Sequence, residues 1–303
     1  MKFIYKEQQF QTEAAEAVCE VFAGQERAAG DDGLYQIDTG DALDVSLFNA
    51  RNMGFRNPPI SYNLTDQVVL SHIRDLQKKY LIEPSEVLSG RYNLTVEMET
   101  GTGKTFTYTK TMFELNKRYG WSKFIVVVPS IAIREGVYKS FQSTEEYFAN
   151  LYGKRLRYFI YNSKQLSNLE DFASSRDIHV MIINAQAFNA RGKDARRIGM
   201  KLDDFHSRRP IDVIAATHPI LIIDEPQSVE GVQTKKKLQD FHPLFTLRYS
   251  ATPKERYNLI YRLDAMDAYN RKLVKKIAVK GISATGSTAT ESYVYLESIN
   301  LSK

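Results

Sequence analysis

The chain has 303 residues, enough for one large domain or two ordinary ones with a substantial buried core. At 43% hydrophobic, 25% charged and 12% aromatic it has the composition of a soluble globular protein. Its apolar runs fall far short of the ~20 residues a membrane span requires, its amino-terminal stretch turns polar too soon for a secretory signal, and Cys19, the single cysteine, excludes a disulfide framework or a thiolate metal site. A cytoplasmic protein without a membrane partner is the expectation. The net charge of +5, from 41 basic and 36 acidic residues, fits nucleic-acid contact without demanding it. The basic clusters RGKDARR (191–197), SRRP (207–210), TKKK (234–237) and RKLVKKIAVK (271–280) are each accounted for by a solvated surface.

In chain order, the first predicted element is a helix around FQTEAAEAV (10–18). Residues 24–90 show no clear periodicity and contain AAGDDG, IDTGD and RNPPIS, so they read as an insertion with turns, to which no chemistry is assigned. Six strand-length aliphatic runs follow: NLTVEM (93–98), KFIVVVP (123–129), LRYFIY (156–161), IHVMIIN (178–184), PILIID (219–224) and FTLRYSAT (245–252). Most are nearly continuous rather than alternating, as expected of strands covered on both faces of a parallel sheet. Between the first two lies TFTYTKTMFELNKRYG, with Phe106, Met112, Phe113 and Tyr119 at helical spacing and Gly120 as a stop. IAIREGVYKSFQSTEEYFANLYG (131–153) is a second long helix. Strands and helices alternating in this way predict an α/β domain of βαβ units. Near the end, DAYNRKLVKKIAVKGI and SYVYLESINLSK read as a helix end and strands that open something new.

VEMETGTGKTFTY joins the first of these strands to the first of these helices. A loop in that position aims backbone N–H groups and a helix N-terminus at a phosphate. Gly101 and Gly103 allow a tight turn and close approach, Lys104 reaches the β- and γ-phosphates, and the Thr105 hydroxyl is suited to ligating Mg²⁺. The stretch departs from G-x-x-x-x-G-K-[ST] in having Met98 at the first glycine position. LIIDE supplies what such a loop needs from a second strand: Asp224 to hold the magnesium, and Glu225 to orient or deprotonate the attacking water. Downstream, LRYSATP ends another strand, where Ser250 and Thr252 could hydrogen-bond towards these carboxylates and couple nucleotide state to a neighbouring lobe. A second Ser-Ala-Thr, at 283–285, follows no such strand and reads as a polar turn.

The order TGTGKT, VVVPSIAIREGV, DEPQ and SATP resembles the first RecA-like lobe of superfamily 2 helicases and translocases. The particular forms METGTGKT, PSIAIREG and DEPQS are most similar to the restriction subunit of type III restriction–modification enzymes, whereas DEAD-box RNA helicases have Ala-Asp in place of Pro226 and Gln227. The resemblance covers residues 93–253. It implies a RecA-like P-loop NTPase domain with a mainly parallel sheet flanked by helices, using ATP and Mg²⁺. It places Thr100, Gly101, Thr102, Gly103, Lys104 and Thr105 on the nucleotide, with Gln11 reading the adenine from a preceding helix. It makes Gln227, Ser250 and Thr252 coupling residues. Pro129, Ser130 and Arg134 would contact a nucleic-acid backbone, assisted by INAQAF (183–188). The partners implied are double-stranded DNA, a modification (methyltransferase) subunit that reads bases, and a second RecA-like lobe and a nuclease domain of the same polypeptide.

The organisation expected is a helix and insertion over 1–90, the ATPase lobe over 91–255, and a connecting segment over 256–303. Neither a second lobe bearing arginines nor a nuclease carboxylate set is found, so the chain reads as part of a larger protein. Three other readings stay open: a nucleotide-binding lobe that docks to a partner without turnover, a repair or RNA helicase of the same superfamily, and a P-loop kinase. DEPQ with SATP, and the absence of an evident lid, count against the kinase.

Overall fold

The computed structural model describes residues 5–28, 32–36, 53–189 and 197–275 of the chain. The second Ser-Ala-Thr, the SYVYLESINLSK run and most of RGKDARR lie outside these residues. Seven strands form one sheet: β3 (Asn93–Met98), β4 (Lys123–Val128), β5 (Leu156–Ile160), β6 (Ile178–Asn184), β7 (Ile220–Asp224), β8 (Thr246–Ser250) and β9 (Leu259–Leu263). Their order across the sheet is β5-β6-β4-β7-β8-β3-β9, and every neighbouring pair is parallel. A short antiparallel pair, β1 (Leu34–Gln36) and β2 (Met53–Phe55), stands apart from it. This is the α/β layout with a parallel sheet that the continuous aliphatic runs predict.

Side chains alternate across each strand and feed two cores. Phe124, Val126 and Val128 of β4 and Ile220 and Ile222 of β7 share one core with α1 (Gln9–Val21), α2 (Asp66–Lys79), α3 (Lys104–Tyr119) and α4 (Ile131–Tyr152). Ile125 and Val127 of β4 and Leu221 and Ile223 of β7 face the other core, closed by the short helices Ser167–Ser174, Pro210–Ala216 and Val232–Gln239. Among the described residues no helix is long and apolar enough to cross a membrane.

Two elements differ from the sequence reading. Residues 24–90, expected as an insertion with turns, contain the 14-residue helix α2, capped by the Thr65 hydroxyl accepting from Val68 N, with Val69, Ile73 and Leu76 buried at helical spacing. The sheet also continues past residue 255. The chain turns back after SATP, and β9 pairs with β3, Leu263 O accepting from Glu99 N at 3.0 Å. β9 therefore buttresses the strand end from which the glycine-rich loop departs.

The insertion is pinned to the sheet by Asn57, which is fully buried. Its amide donates to Lys123 O (2.8 Å) and His218 O (3.0 Å) and accepts from Ser122 N (2.8 Å) and Lys123 N (2.9 Å), tying together the amino ends of β4 and β7. Next to it Trp121 Nε1 donates to Pro58 O at 3.0 Å. All four hydrogen-bonding positions of the amide are used, so truncation strands several buried backbone groups at once. Asn57→Ala is expected to cost about 3 kcal/mol of unfolding free energy in urea denaturation. A loss below about 1 kcal/mol would show that the insertion does not hold the sheet in this way.

Candidate nucleotide site

Because all seven strands run the same way, their carboxyl ends share one edge, where ligands of open α/β sheets bind. β3 delivers the glycine-rich loop to that edge, and α3 begins immediately after it with Lys104 as its first residue. Gly101 (φ 80°) and Gly103 (φ 87°) adopt the left-handed backbone that side chains disfavour. A Cβ at Gly101 would meet nothing within 4 Å, which leaves open space above the loop. At Gly103 it would fall 2.6 Å from Gln11 Nε2. Gln11, buried on α1, uses that approach to donate to Thr102 O at 2.9 Å. The Thr102 hydroxyl in turn donates to Glu99 O at 2.6 Å, and Thr100 N donates to the Glu99 carboxylate at 2.7 Å. The loop is thus held from below by its own short bonds and from α1 by Gln11.

One strand removed from β3, β7 ends at Asp224, and Glu225 follows with φ 52°, a left-handed conformation costly for a glutamate. Its carboxylate meets Lys104 Nζ at 2.9 Å. Gln227 Nε2 donates to Glu225 Oε2 at 2.6 Å, and the Ser250 hydroxyl, on β8 between β7 and β3, donates to Gln227 Oε1 at 2.8 Å. Ser250 Oγ also lies 3.4 Å from Glu225 Oε2, but its single proton goes to the shorter contact. Thr252 joins through its backbone: its N–H donates to Ser250 Oγ at 3.1 Å. Lys104, Glu225, Gln227 and Ser250, from three separate stretches of the chain, therefore form one connected group.

Asp224 sits beside them and is buried. Burial pushes its carboxyl up to about 6; the adjacent Glu225 charge adds to the push, and Lys104 opposes it. The Tyr108 hydroxyl, fully buried on α3, lies against Thr105 and Asp224 but completes a hydrogen bond with neither. Tyr108 carried no signal in the sequence beyond that of a core aromatic.

These residues fit a magnesium–triphosphate. Open space over Gly101, the start of α3, the Lys104 cation and two hard oxygen donors, Thr105 and Asp224, converge on one edge. Magnesium takes only one or two carboxylates when phosphates complete its shell, so a larger acidic cluster is not required.

The residues expected on nucleic acid lie farther along the same edge, at the end of β4. Ser130 is the N-cap of α4, its hydroxyl accepting from Ile133 N at 3.3 Å. Arg134, in the first turn, pairs with Glu135 at 2.9 Å and keeps its Nε buried without a partner. β6 ends alongside, Asn184 in register with Val128, so INAQAF and Pro129 emerge together. The edge brings these segments together, but β7 and β8 separate them from the glycine-rich loop.

A family model described as "Type III restriction enzyme, res subunit" matches residues 63–255. The EcoPI Res subunit of Escherichia phage P1 is 34% identical over 242 residues, covering 73% of this chain and 25% of that protein. The EcoP15I Res subunit of Escherichia coli is 36% identical over 204 residues, 61% of this chain and 21% of that protein. The chain spans a quarter or less of the length of these two relatives. Among solved structures, a nuclease-deletion mutant of the Type ISP restriction-modification enzyme LlaGI in complex with a DNA substrate mimic is 18% identical with a TM-score of 0.40, over 59% of this chain and 18% of that one.

The raised Asp224 pKa has a consequence for stability. Between pH 4 and 6 the folded chain retains a proton that the unfolded chain has released, so stability falls as pH rises through that window and levels off above it. Asp224→Asn removes the titration. The variant is expected to be about 1–3 kcal/mol more stable than the parent at pH 7 without nucleotide, and to lose the difference near pH 4. Thermal melts across this range check it; a destabilised variant at pH 7 would mean that the Asp224 charge is welcome in the empty site.

Proposed function

We infer, for a chain that belongs to the Res-subunit family of type III restriction enzymes, that this site binds Mg·ATP and transfers the γ-phosphoryl group to water, as the first motor lobe of a DNA-dependent translocase. The observation that carries the reading is the 2.9 Å contact between Lys104, at the head of the glycine-rich loop, and Glu225, at the end of β7, with Asp224 and Thr105 beside them. A cation for phosphate, oxygens for a metal and a carboxylate to take a proton are the parts that phosphoryl transfer to water needs.

In this scheme Lys104 exchanges Glu225 for the β- and γ-phosphates. Loop N–H groups from Thr100 to Thr105 bind the same phosphates, and Gln11, seated against Thr102, lies on the adenine side. Thr105 and Asp224 would hold a magnesium ion, which would supply charge neutralisation for the leaving diphosphate. Glu225, released by Lys104 and oriented by Gln227, accepts the proton of the attacking water. Ser250 and the Thr252 N–H carry the state of that carboxylate to β8 and the segment beyond it. Pro129, Ser130 and Arg134 contact phosphates of double-stranded DNA, which contributes affinity and salt dependence but no sequence information.

Relatives of which this chain spans a quarter or less leave room for a second RecA-like lobe, whose arginines would complete the transition-state clamp, and for a nuclease domain. Base reading would fall to a separate modification (methyltransferase) subunit.

Lys104→Ala is expected to abolish Mg·ATP binding in a calorimetric titration. Glu225→Gln should bind at least as tightly as the parent, since its Lys104 is no longer neutralised, while DNA-stimulated hydrolysis by the intact protein falls by about 100-fold or more. Unchanged affinity in the first variant would overturn the nucleotide site; unchanged hydrolysis in the second would remove Glu225 from the role of base and favour a lobe that binds without turnover.

A further inference from the structure

Glu230 lies five residues beyond Glu225, where the short turn Pro226–Ser228 ends and its own N–H donates to Pro226 O at 2.8 Å. Its carboxylate is gripped by Arg248: Nη2 to Oε1 at 2.7 Å, and Nε at 3.1 Å from both oxygens. Both side chains are nearly buried, at 8% and 7% exposure. Arg248 stands two residues before Ser250 on β8 and therefore shares its face of the sheet. Its remaining Nη1 donates to Asn93 Oδ1 at 2.6 Å, on the first residue of β3. One guanidinium thus joins the turn after Glu225, the strand of Ser250 and the strand that carries the glycine-rich loop.

We propose that Arg248 and Glu230 are positioning residues for ATP hydrolysis, setting the seat of Glu225 and Gln227 without touching the nucleotide. The proposal rests on the ATPase reading above. Glu225 occupies a left-handed conformation that persists only if its surroundings over-determine it. Its backbone is fixed on one side by Glu225 N donating to Tyr249 O at 3.0 Å and on the other by the turn that Glu230 closes. Pro226 and Val229 seat the turn on the core, but the ion pair itself borders a cavity of about 490 Å³ lined by Asn93, Glu230, Lys235, Leu238, Arg248 and Tyr257, so the Glu230 end of the turn is set by Arg248 more than by packing. Nor is stability a sufficient reason for the pair, since buried ion pairs are often replaceable by apolar residues at no cost to the fold.

The same guanidinium also connects the site to the chain beyond SATP. It lies 4.3 Å from the centre of the Tyr257 ring, whose hydroxyl accepts from Lys235 Nζ at 2.7 Å, and Lys235 pairs with Glu255 at 2.7 Å. Movement of Glu225 on nucleotide exchange would be felt through Gln227 and Glu230 by the strap leading into β9.

The test uses the intact protein with DNA, comparing Glu230→Gln, Arg248→Lys and the apolar double variant Arg248→Met/Glu230→Leu. Mg·ATP Kd, KM, kcat and Tm are read for each. Both single variants are expected to lose about 10- to 100-fold in kcat while Kd and KM stay within about threefold, the signature of an interaction needed in the transition state rather than for binding. The double variant is expected to regain Tm without regaining kcat. Recovery of kcat together with Tm, or kcat within about twofold of the parent in the single variants, overturns the positioning role and leaves a structural pair. If the double variant does not fold, Arg248→Lys, which keeps the charge and loses the bidentate fork, decides alone by its kcat at unchanged KM. Absence of DNA-stimulated turnover in the parent itself would instead overturn the ATPase reading, and this proposal with it.

Discussion

Seven strands that all run in one direction impose the rest of the architecture. A parallel neighbour can be reached only through a crossover, so helices must cover both faces, and strand interiors become largely apolar on both sides. β4 meets this demand most fully, with Phe124, Val126 and Val128 in one core and Ile125 and Val127 in the other. The same constraint sends every carboxyl end to one edge. The glycine-rich loop after β3, the carboxylates at the end of β7, Ser250 on β8 and the Pro129–Ser130 turn after β4 are therefore gathered along that edge, although Glu99 and Ser250 are 151 positions apart in the chain. With β8 seated between β3 and β7, the Ser250 hydroxyl donates to the Gln227 amide and lies 3.4 Å from the Glu225 carboxylate.

The charged groups of the site satisfy one another. Lys104 and Glu225 neutralise each other, Gln227 uses its amide on Glu225, and Asp224, pushed up to about 6 by burial, is readily protonated in mildly acid solution. A polyphosphate entering over Gly101 in the proposed reaction would compete for Lys104 directly, and a divalent cation would compete with the proton on Asp224. In the proposed reaction, binding and the arming of the base are then one event, because the lysine that receives the phosphate is the group that had held the glutamate. The strain at Glu225 belongs to the same logic: a carboxylate on a left-handed backbone is held away from the strand direction, towards the loop.

Much of this was legible in the residues. NLTVEM, KFIVVVP, IHVMIIN and PILIID are strands because a doubly covered sheet leaves an unmistakable continuous apolar trace, and TGTGKT followed by a helical period needs the backbone that Gly101 and Gly103 adopt. Helix α2 was obscured by the turn-rich residues around it, although Thr65 ahead of Val69, Ile73 and Leu76 was a usable signal. β9 is five residues long with Arg262 inside it, too short and too mixed to announce itself. Asn57 sits in RNPP, where an asparagine reads as a turn residue, and only the fold shows that its amide spans two strand ends. Arg248 interrupts the apolar pattern of β8, and no local rule could pair it with Glu230, 18 residues away. Gln11 was singled out only through the family resemblance, and its bond to Thr102 O depends on how α1 packs against α3.

A crystal structure of the chain with Mg²⁺ and a non-hydrolysable ATP analogue tests the central claim most directly. Lys104 should be found on the β- and γ-phosphates and away from Glu225, with Thr105 and Asp224 at the metal and the Gln227 amide still on the glutamate. An analogue bound elsewhere, with the Lys104–Glu225 contact intact at 2.9 Å, would contradict it.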